Sequence, residues 1–304
     1  MTNRVLPSAE EVPALVPARG SIVWRYAGDA RLLATAGYAL LLQVAHPTVG
    51  AGVTEHSDFK ADPWGRLFRT LDYTYAMVYG GPRLAGEIGA RVREMHKRIK
   101  GTKPDGERYH ALEPEAYAWV HATLCEAIIT GHRHFGLRMR PDEIERFWAD
   151  WRRSGRVVGV RERDLPDDWT GFRSYFNYMV ERRLEDNEAV QDVIATLARP
   201  TRPPVPILND AAWRVASLPM TRIFSLATVG LLPSLLRQRF GARWTRAQEL
   251  ELRALGAAAR ATTPLLPRSL RNTGPPYLRR RREALARGDV ASLSGGPRSL
   301  ASAA

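Results

Sequence analysis

Helical periodicity runs through nearly the whole chain, and strand-like alternation is almost missing. Apolar residues recur at three- and four-residue spacing in one segment after another, and proline or glycine closes each of them. A chain patterned this way must bury helical stripes against one another, so the expected fold is all-α in a single helical domain. Asp29 suits the cap of a helix over Ala30–Ala45, with Pro47 just past its end. Thr48–Asp62, which holds Gly50 and Gly52, reads as a loop. Pro63 suits the first turn of a helix to Tyr79, with Trp64, Leu67, Leu71, Tyr75 and Val78 on one stripe. Further helices are expected at Arg83–Lys100, Glu115–Phe135, Pro141–Ser154, Gly171–Leu197, Asp210–Leu218, Ile223–Phe240 and Thr245–Ala261. Thr102–Pro114 is expected as a connector, and only Val157–Val160 looks extended. The short proline-rich joint at Pro200–Pro206 does not read as a domain linker.

Forty-four per cent hydrophobic and 25% charged residues make a globular composition, and one cysteine, Cys125, excludes a disulfide framework within the chain. The formal charge of +13 favours anionic partners, or reflects an arginine-rich solvated surface. No apolar run reaches the ~20 residues of a spanning helix, and residues 1–20 lack the apolar core of a secretory signal. A cytoplasmic protein with no transmembrane segment is expected. Residues 1–19 read as an N-terminal extension, 20–282 as the folded domain and 283–304 as a basic, then Gly/Ser/Ala-rich tail, disordered from 288 onward. The run Arg279–Arg282 reads as a solvated patch, with phosphate binding as its functional alternative.

Several chemistries are absent. The chain has no phosphate-binding P-loop, no G-x-S-x-G elbow, no H-E-x-x-H zinc helix and no C-x-x-C-H haem attachment. Glu107 and His110 form the one E-x-x-H pair, which leaves a carboxylate-bridged di-iron bundle without its second motif.

Seven histidines remain: His46, His56, His96, His110, His121, His132 and His134. His121 and His132 share the apolar face of one helix, about 16 Å apart along its axis, too far to hold one metal together. Each, taken alone, reads as a hydrogen-bonded core histidine before it reads as a ligand. His96 borders the apolar stripe of its helix one turn after Val92. That setting serves a core histidine, and it also suits iron ligation from a greasy pocket.

The segments LLLQVAHP at 40–47, GAGVTEHS at 50–57 and GRLFRT at 65–70 form a spaced signature. It continues through VREMHKRIKG at 92–101, YHALEP at 109–114 and WVH at 119–121, then Leu232-Pro233, Arg237, Gly241 and PLLP at 264–267. Together they resemble the MpaB-like oxygenase family, which includes the rubber oxygenases. The resemblance implies a globin-like helical core around a non-covalent haem b, with His96 as the axial ligand of the haem iron. It implies that Arg66 and Thr70, four residues apart, lie near the haem as catalytic and cofactor-binding groups. Their shared helix face is distinct from the Trp64/Leu67/Leu71 stripe, and the bland reading of that face is solvated. Rubber-degrading members carry a lysine that can cap the iron directly before this threonine. Arg69 stands there instead, placed by the resemblance among the cofactor-binding residues, but an arginine stays protonated and is a poor ligand. Those members also carry export signals, so polyisoprene is not the expected substrate.

The expectation is therefore a haem-dependent oxygenase that takes O₂ and a small apolar substrate, an alkene among the candidates, with an electron donor as an optional partner. The alternative is a non-catalytic haem-binding or sensor protein, separated only by turnover. A third reading is a basic helical nucleic-acid-binding protein. Against it, the basic residues are scattered apart from Arg279–Arg282, and no helix-turn-helix pattern stands out, so no nucleic acid is expected.

Overall fold

A computed structural model describes residues 6–57, 62–103, 105–198, 213 and 217–287. The short helices α1 (Val12–Leu15) and α2 (Ile22–Tyr26) lead into a 3-10 helix at Ala30–Thr35, then α3 (Ala36–Val44) and α4 (Pro47–His56). Helices α5 (Pro63–Tyr79) and α6 (Gly81–His96) follow. Strands β1 (Lys100–Thr102) and β2 (Arg108–His110) then pair antiparallel, with Gly101 opposite Tyr109. The order continues with α7 (Pro114–His134), α8 (Pro141–Ser154), α9 (Trp169–Arg182) and α10 (Glu188–Ala198). The described chain ends with α11 (Leu218–Leu231), α12 (Ser234–Arg239), α13 (Arg246–Thr262), α14 (Arg268–Arg271) and α15 (Gly274–Ala286). The all-α, single-domain expectation holds. One hydrophobic cluster runs from Val12 to Leu252, and it includes Val12 and Leu15 of the expected N-terminal extension.

Helix α7 is the axis of the core. Its side chains are buried on nearly every face, as expected of a helix wrapped by others. Trp119 on it is fully buried, and its indole N–H donates to the Leu42 carbonyl at 2.7 Å, which satisfies the one polar atom it carries inward. Glu126, also buried on α7, accepts from the Tyr38 hydroxyl, the Thr130 hydroxyl and Arg173 at 3.3, 2.8 and 2.9 Å. A buried carboxylate persists only with such partners.

Several boundaries differ from the sequence expectations. Asp29 does cap, accepting from the Arg31 amide at 3.0 Å, but the element it starts is the 3-10 helix, and α3 begins only at Ala36. The expected loop at 48–62 is largely α4, with Pro47 in its first turn rather than past the end of the preceding helix. Gly50 reads as a loop residue by propensity. In the fold it is a contact point, because a Cβ there would stand 2.6 Å from the Val44 carbonyl oxygen and 2.5 Å from the Asn187 amide. Val157 and Val158 are not extended; they belong to a 3-10 turn (Gly155–Val158) closed by Gly159 at φ +87°. The single helix expected over 171–197 is two, broken where Asn187 accepts from the Val190 amide and donates to the Val44 carbonyl. Pro233 divides the helix expected over 223–240. The connector at 102–114 holds one strand of the β1–β2 hairpin and the end of the other. The joint at Pro200–Pro206 and the tail from 288 lie outside the described residues, as does most of the helix expected at 210–218.

Among the described residues no single helix is long and apolar enough to cross a membrane. The stretches Ala30–Val44 and Pro47–His56 qualify only as a pair bent by 105°.

Candidate active site: an apolar cavity beside a histidine of fixed tautomer

Helix α5 starts where Asp62 accepts from the Gly65 amide at 2.8 Å and Pro63 fills the first turn. One turn in, the Arg66 guanidinium donates from Nη1 to Ser57 Oγ at 2.9 Å, which ties α5 to the residue that follows α4. Thr70 donates its hydroxyl proton to the Arg66 carbonyl at 3.1 Å. Arg66 and Thr70 line a cavity of about 270 Å³ together with Trp64, Leu67 and Leu71. The expected separation of their face from the apolar stripe is thus corrected. The two rows sit side by side on one broad face, because α5 lies against a void here rather than flat on a neighbouring helix. The other walls are mainly apolar, among them Ala36 and Leu40 of α3, Ile128 of α7, Leu197 of α10 and Phe224 of α11.

Arg69 is not among the residues that line this cavity. Its Nη1 lies 3.7 Å from Asp62 Oδ2, at the cap of its own helix.

His96 closes α6, the partner of α5 in an antiparallel hairpin that turns at Gly80 and Gly81. Its Nδ1 lies 2.7 Å from the Val92 carbonyl oxygen. A carbonyl only accepts, so Nδ1 carries the proton and Nε2 holds the lone pair in the neutral ring. Among the described residues Nε2 has no hydrogen-bond partner. Burial lowers the pKa of His96 below its ordinary 6.5, the Val92 bond opposes that shift, and the charges of Arg66 and Arg93 add to it. The ring meets Tyr117 edge-on, with centroids 5.6 Å apart. His96 is not itself a wall of the cavity that Arg66 and Thr70 line. The link between the two is the α5–α6 hairpin and the field of Arg66.

The remaining histidines are committed elsewhere. His121 donates from Nε2 to the Trp151 carbonyl at 2.8 Å and stacks on the Trp151 ring, and burial pulls its pKa to about 4. His132 donates to the Tyr26 carbonyl at 2.9 Å. Both are core residues, as the sequence reading has them. His46 meets Glu115 at 3.2 Å, His56 and His134 contact backbone carbonyls, and His110 accepts from the Leu112 amide. Cys125 is buried and burial pushes its thiol up, so it offers no thiolate.

Among the described residues no three His, Cys, Asp or Glu side chains are grouped to hold a bare metal ion. Haem makes a different demand. The macrocycle supplies four nitrogens, and the protein must add one neutral imidazole with its lone pair free. His96 has that form and Arg66, bonded to Ser57, is a cation near it, so the donor chemistry of these residues fits the group, although His96 stands outside the cavity that Arg66 lines.

Three participants escape sequence inspection. Ser57 stands in the 50–57 segment, but its role depends on where Arg66 folds back. Tyr117 is one tyrosine of a long helix. Gln43 carries the clearest signal, as the single polar residue in the run Leu40–Ala45.

No curated protein and no solved structure shows a significant match to the chain. The sequence model of the family described as "ER-bound oxygenase mpaB/B'/Rubber oxygenase, catalytic domain" matches residues 24–261. That match runs from within α2 to within α13, including the cavity and His96, and on it the chain belongs to the mpaB/rubber oxygenase family as an oxygenase catalytic domain.

Proposed function

We propose that the protein is a haem b-dependent oxygenase that takes O₂ and a small apolar substrate. The observation that carries this reading is the state of His96: Nδ1–H is spent on Val92, Nε2 has no hydrogen-bond partner among the described residues, and burial favours the neutral ring. A hydrogen bond from the other ring nitrogen fixes the tautomer and orientation of a metal-binding imidazole.

In this reading His96 Nε2 holds the iron, and haem when bound supplies the oxygen chemistry that no side chain of the chain provides. Arg66, steadied by Ser57, pairs with a propionate carboxylate through a charge-assisted bond. Thr70, whose proton is committed to the Arg66 carbonyl, presents an acceptor oxygen at the cavity wall. The apolar walls bind an apolar substrate and keep bulk water from it. Rubber is an alkene polymer, so an alkene is the substrate type that the family description favours. Arg69, held by the helix cap and lacking a free lone pair, does not cap the iron.

The test is a visible spectrum of the protein purified from haem-sufficient cells, followed by O₂ uptake with apolar alkenes. A Soret band that acidic organic solvent removes is expected, together with substrate-dependent O₂ uptake. A protein that is colourless and takes up no added haem overturns the reading, and a haem protein without turnover is the non-catalytic alternative.

A further inference from the structure

We propose that Gln43 makes the cavity selective for a molecule that is apolar along most of its length and carries one hydrogen-bond donor, a hydroxyl or an N–H. This deepens the reading of the cavity as the substrate chamber and rests on it.

Helix α3 is built almost wholly of apolar residues and turns Ala36, Leu40 and Gln43 toward the cavity, at the helical spacing that puts them on one face. Gln43 Nε2 lies 3.1 Å from Thr123 Oγ1 on α7. The Thr123 hydroxyl in turn donates its only proton to the Val120 carbonyl at 2.8 Å. With that proton spent, Thr123 can only accept, which fixes the orientation of the amide: NH₂ faces Thr123 and Oε1 faces away. Among the described residues Oε1 has no hydrogen-bond partner, and it is not among the sealed, unpartnered atoms of the core. Gln43 lines the cavity, so its accessible carbonyl oxygen is presented there.

The neighbouring polar groups sharpen the selection. Thr35, Thr70 and Thr196 line the same cavity, and each donates its hydroxyl proton to a carbonyl of its own helical turn, at 2.7, 3.1 and 2.8 Å. The Gln43 amide is therefore an unmet acceptor beside three wall hydroxyls whose protons are already committed. A site with an unmet acceptor discriminates against a ligand that fills the space without a donor, because that ligand strips water from the carbonyl and returns nothing.

The experiment compares 1-octanol with octyl methyl ether, which keeps the chain and the oxygen but loses the donor. Binding to the purified protein is measured by titration calorimetry, with the visible spectrum recorded on the same samples. About tenfold tighter binding of the alcohol is expected, the effect of one hydrogen bond gained or lost. Gln43→Leu should erase that preference while keeping the affinity for the ether. Thr123→Val, which frees the amide to rotate, should weaken the preference, and it serves as the second variant if Gln43→Leu does not fold. Equal binding of the two molecules, a preference that survives both substitutions, or no binding of either overturns the proposal. In the last case an intact Soret band would show that the chamber reading has failed while His96 coordination stands. A colourless protein that still prefers the alcohol would keep the Gln43 assignment and sink the haem reading alone.

Discussion

Arg281 forks onto Asp72 across 209 positions of sequence, with Nε 2.9 Å from Oδ1 and Nη2 2.6 Å from Oδ2. The Asp72 side chain is 1% exposed, and the Tyr277 hydroxyl donates to the same Oδ1 at 2.8 Å. The pair clamps α15 to α5, the helix that carries Arg66 and Thr70. It also corrects the reading of Arg279–Arg282 as a solvated patch. Arg281 is spent on Asp72 and Arg282 donates to the Gly80 carbonyl, while Arg279 and Arg280 stay exposed. Removing Arg281 takes the opposite charge from a buried carboxylate that keeps its Tyr277 hydrogen bond, at a cost of about 1–3 kcal/mol. Arg281→Ala should therefore lower the unfolding free energy by that order in urea melts. A loss below about 1 kcal/mol would show that the pair is not integral to the fold.

His96→Ala should abolish the Soret band while the helical circular dichroism persists. His121→Ala and His132→Ala should keep the band and lower stability by about 1–3 kcal/mol, the usual cost of a buried hydrogen-bonding group removed. A normal spectrum in His96→Ala would end the axial assignment.

His121 gives the fold an acid-sensitive element of known sign. Its folded pKa of about 4 lies below the ordinary 6.5. Between those values the unfolded chain binds the proton and the folded chain does not, so stability is full above pH 6.5 and falls as the pH drops toward 4. From pH 7.5 to 5 this group should withdraw roughly 2 kcal/mol. His121→Gln keeps an N–H donor and cannot titrate, so its unfolding free energy should fall less over the same interval. Identical pH slopes in the two proteins would remove His121 as the cause.

Arg66 depresses the basicity of His96 through its charge. Without that charge His96 protonates more easily and competes better with iron, so Arg66→Ala should lose haem at a higher pH than wild type during acid titration. Arg66→Lys keeps the charge without the planar fork. It should restore the midpoint if charge alone matters and fall short if the fork on a propionate matters too. In Arg66→Ala the lost Ser57 bond by itself should cost the haem-free protein about 0.5–1.5 kcal/mol. An unchanged midpoint in Arg66→Ala would exclude Arg66 from the haem environment.

Ser57→Ala should produce a weaker version of the same shift, because it loosens Arg66 without removing it. If Ser57→Ala equals Arg66→Ala in acid haem loss, the positioning of the guanidinium matters as much as its presence.

Local chemistry determined much of this protein. Pro63 and Pro141 start helices where proline is tolerated, and α5 and α8 span Pro63–Tyr79 and Pro141–Ser154 as their apolar spacing predicts. The family signature singles out His96, Arg66 and Thr70 as candidates, and the structure puts Arg66 and Thr70 on one cavity wall with His96 apart from it. Tertiary structure decided the rest. Gly50 and Gly52 argue against a helix by propensity, yet α4 is helical, and the glycine at 50 leaves the space that Asn187, more than 130 residues later, occupies. The break at Asn187 is invisible in the sequence for the same reason, since its side chain answers a carbonyl on α3. The accessible oxygen of Gln43 and the joint wall of Arg66 and Leu67 also exist only once separate helices meet. Short-range sterics and periodicity act within a few residues and are written in order along the chain. Which carbonyl takes which proton, and where a void is left, depends on surfaces brought together from distant segments.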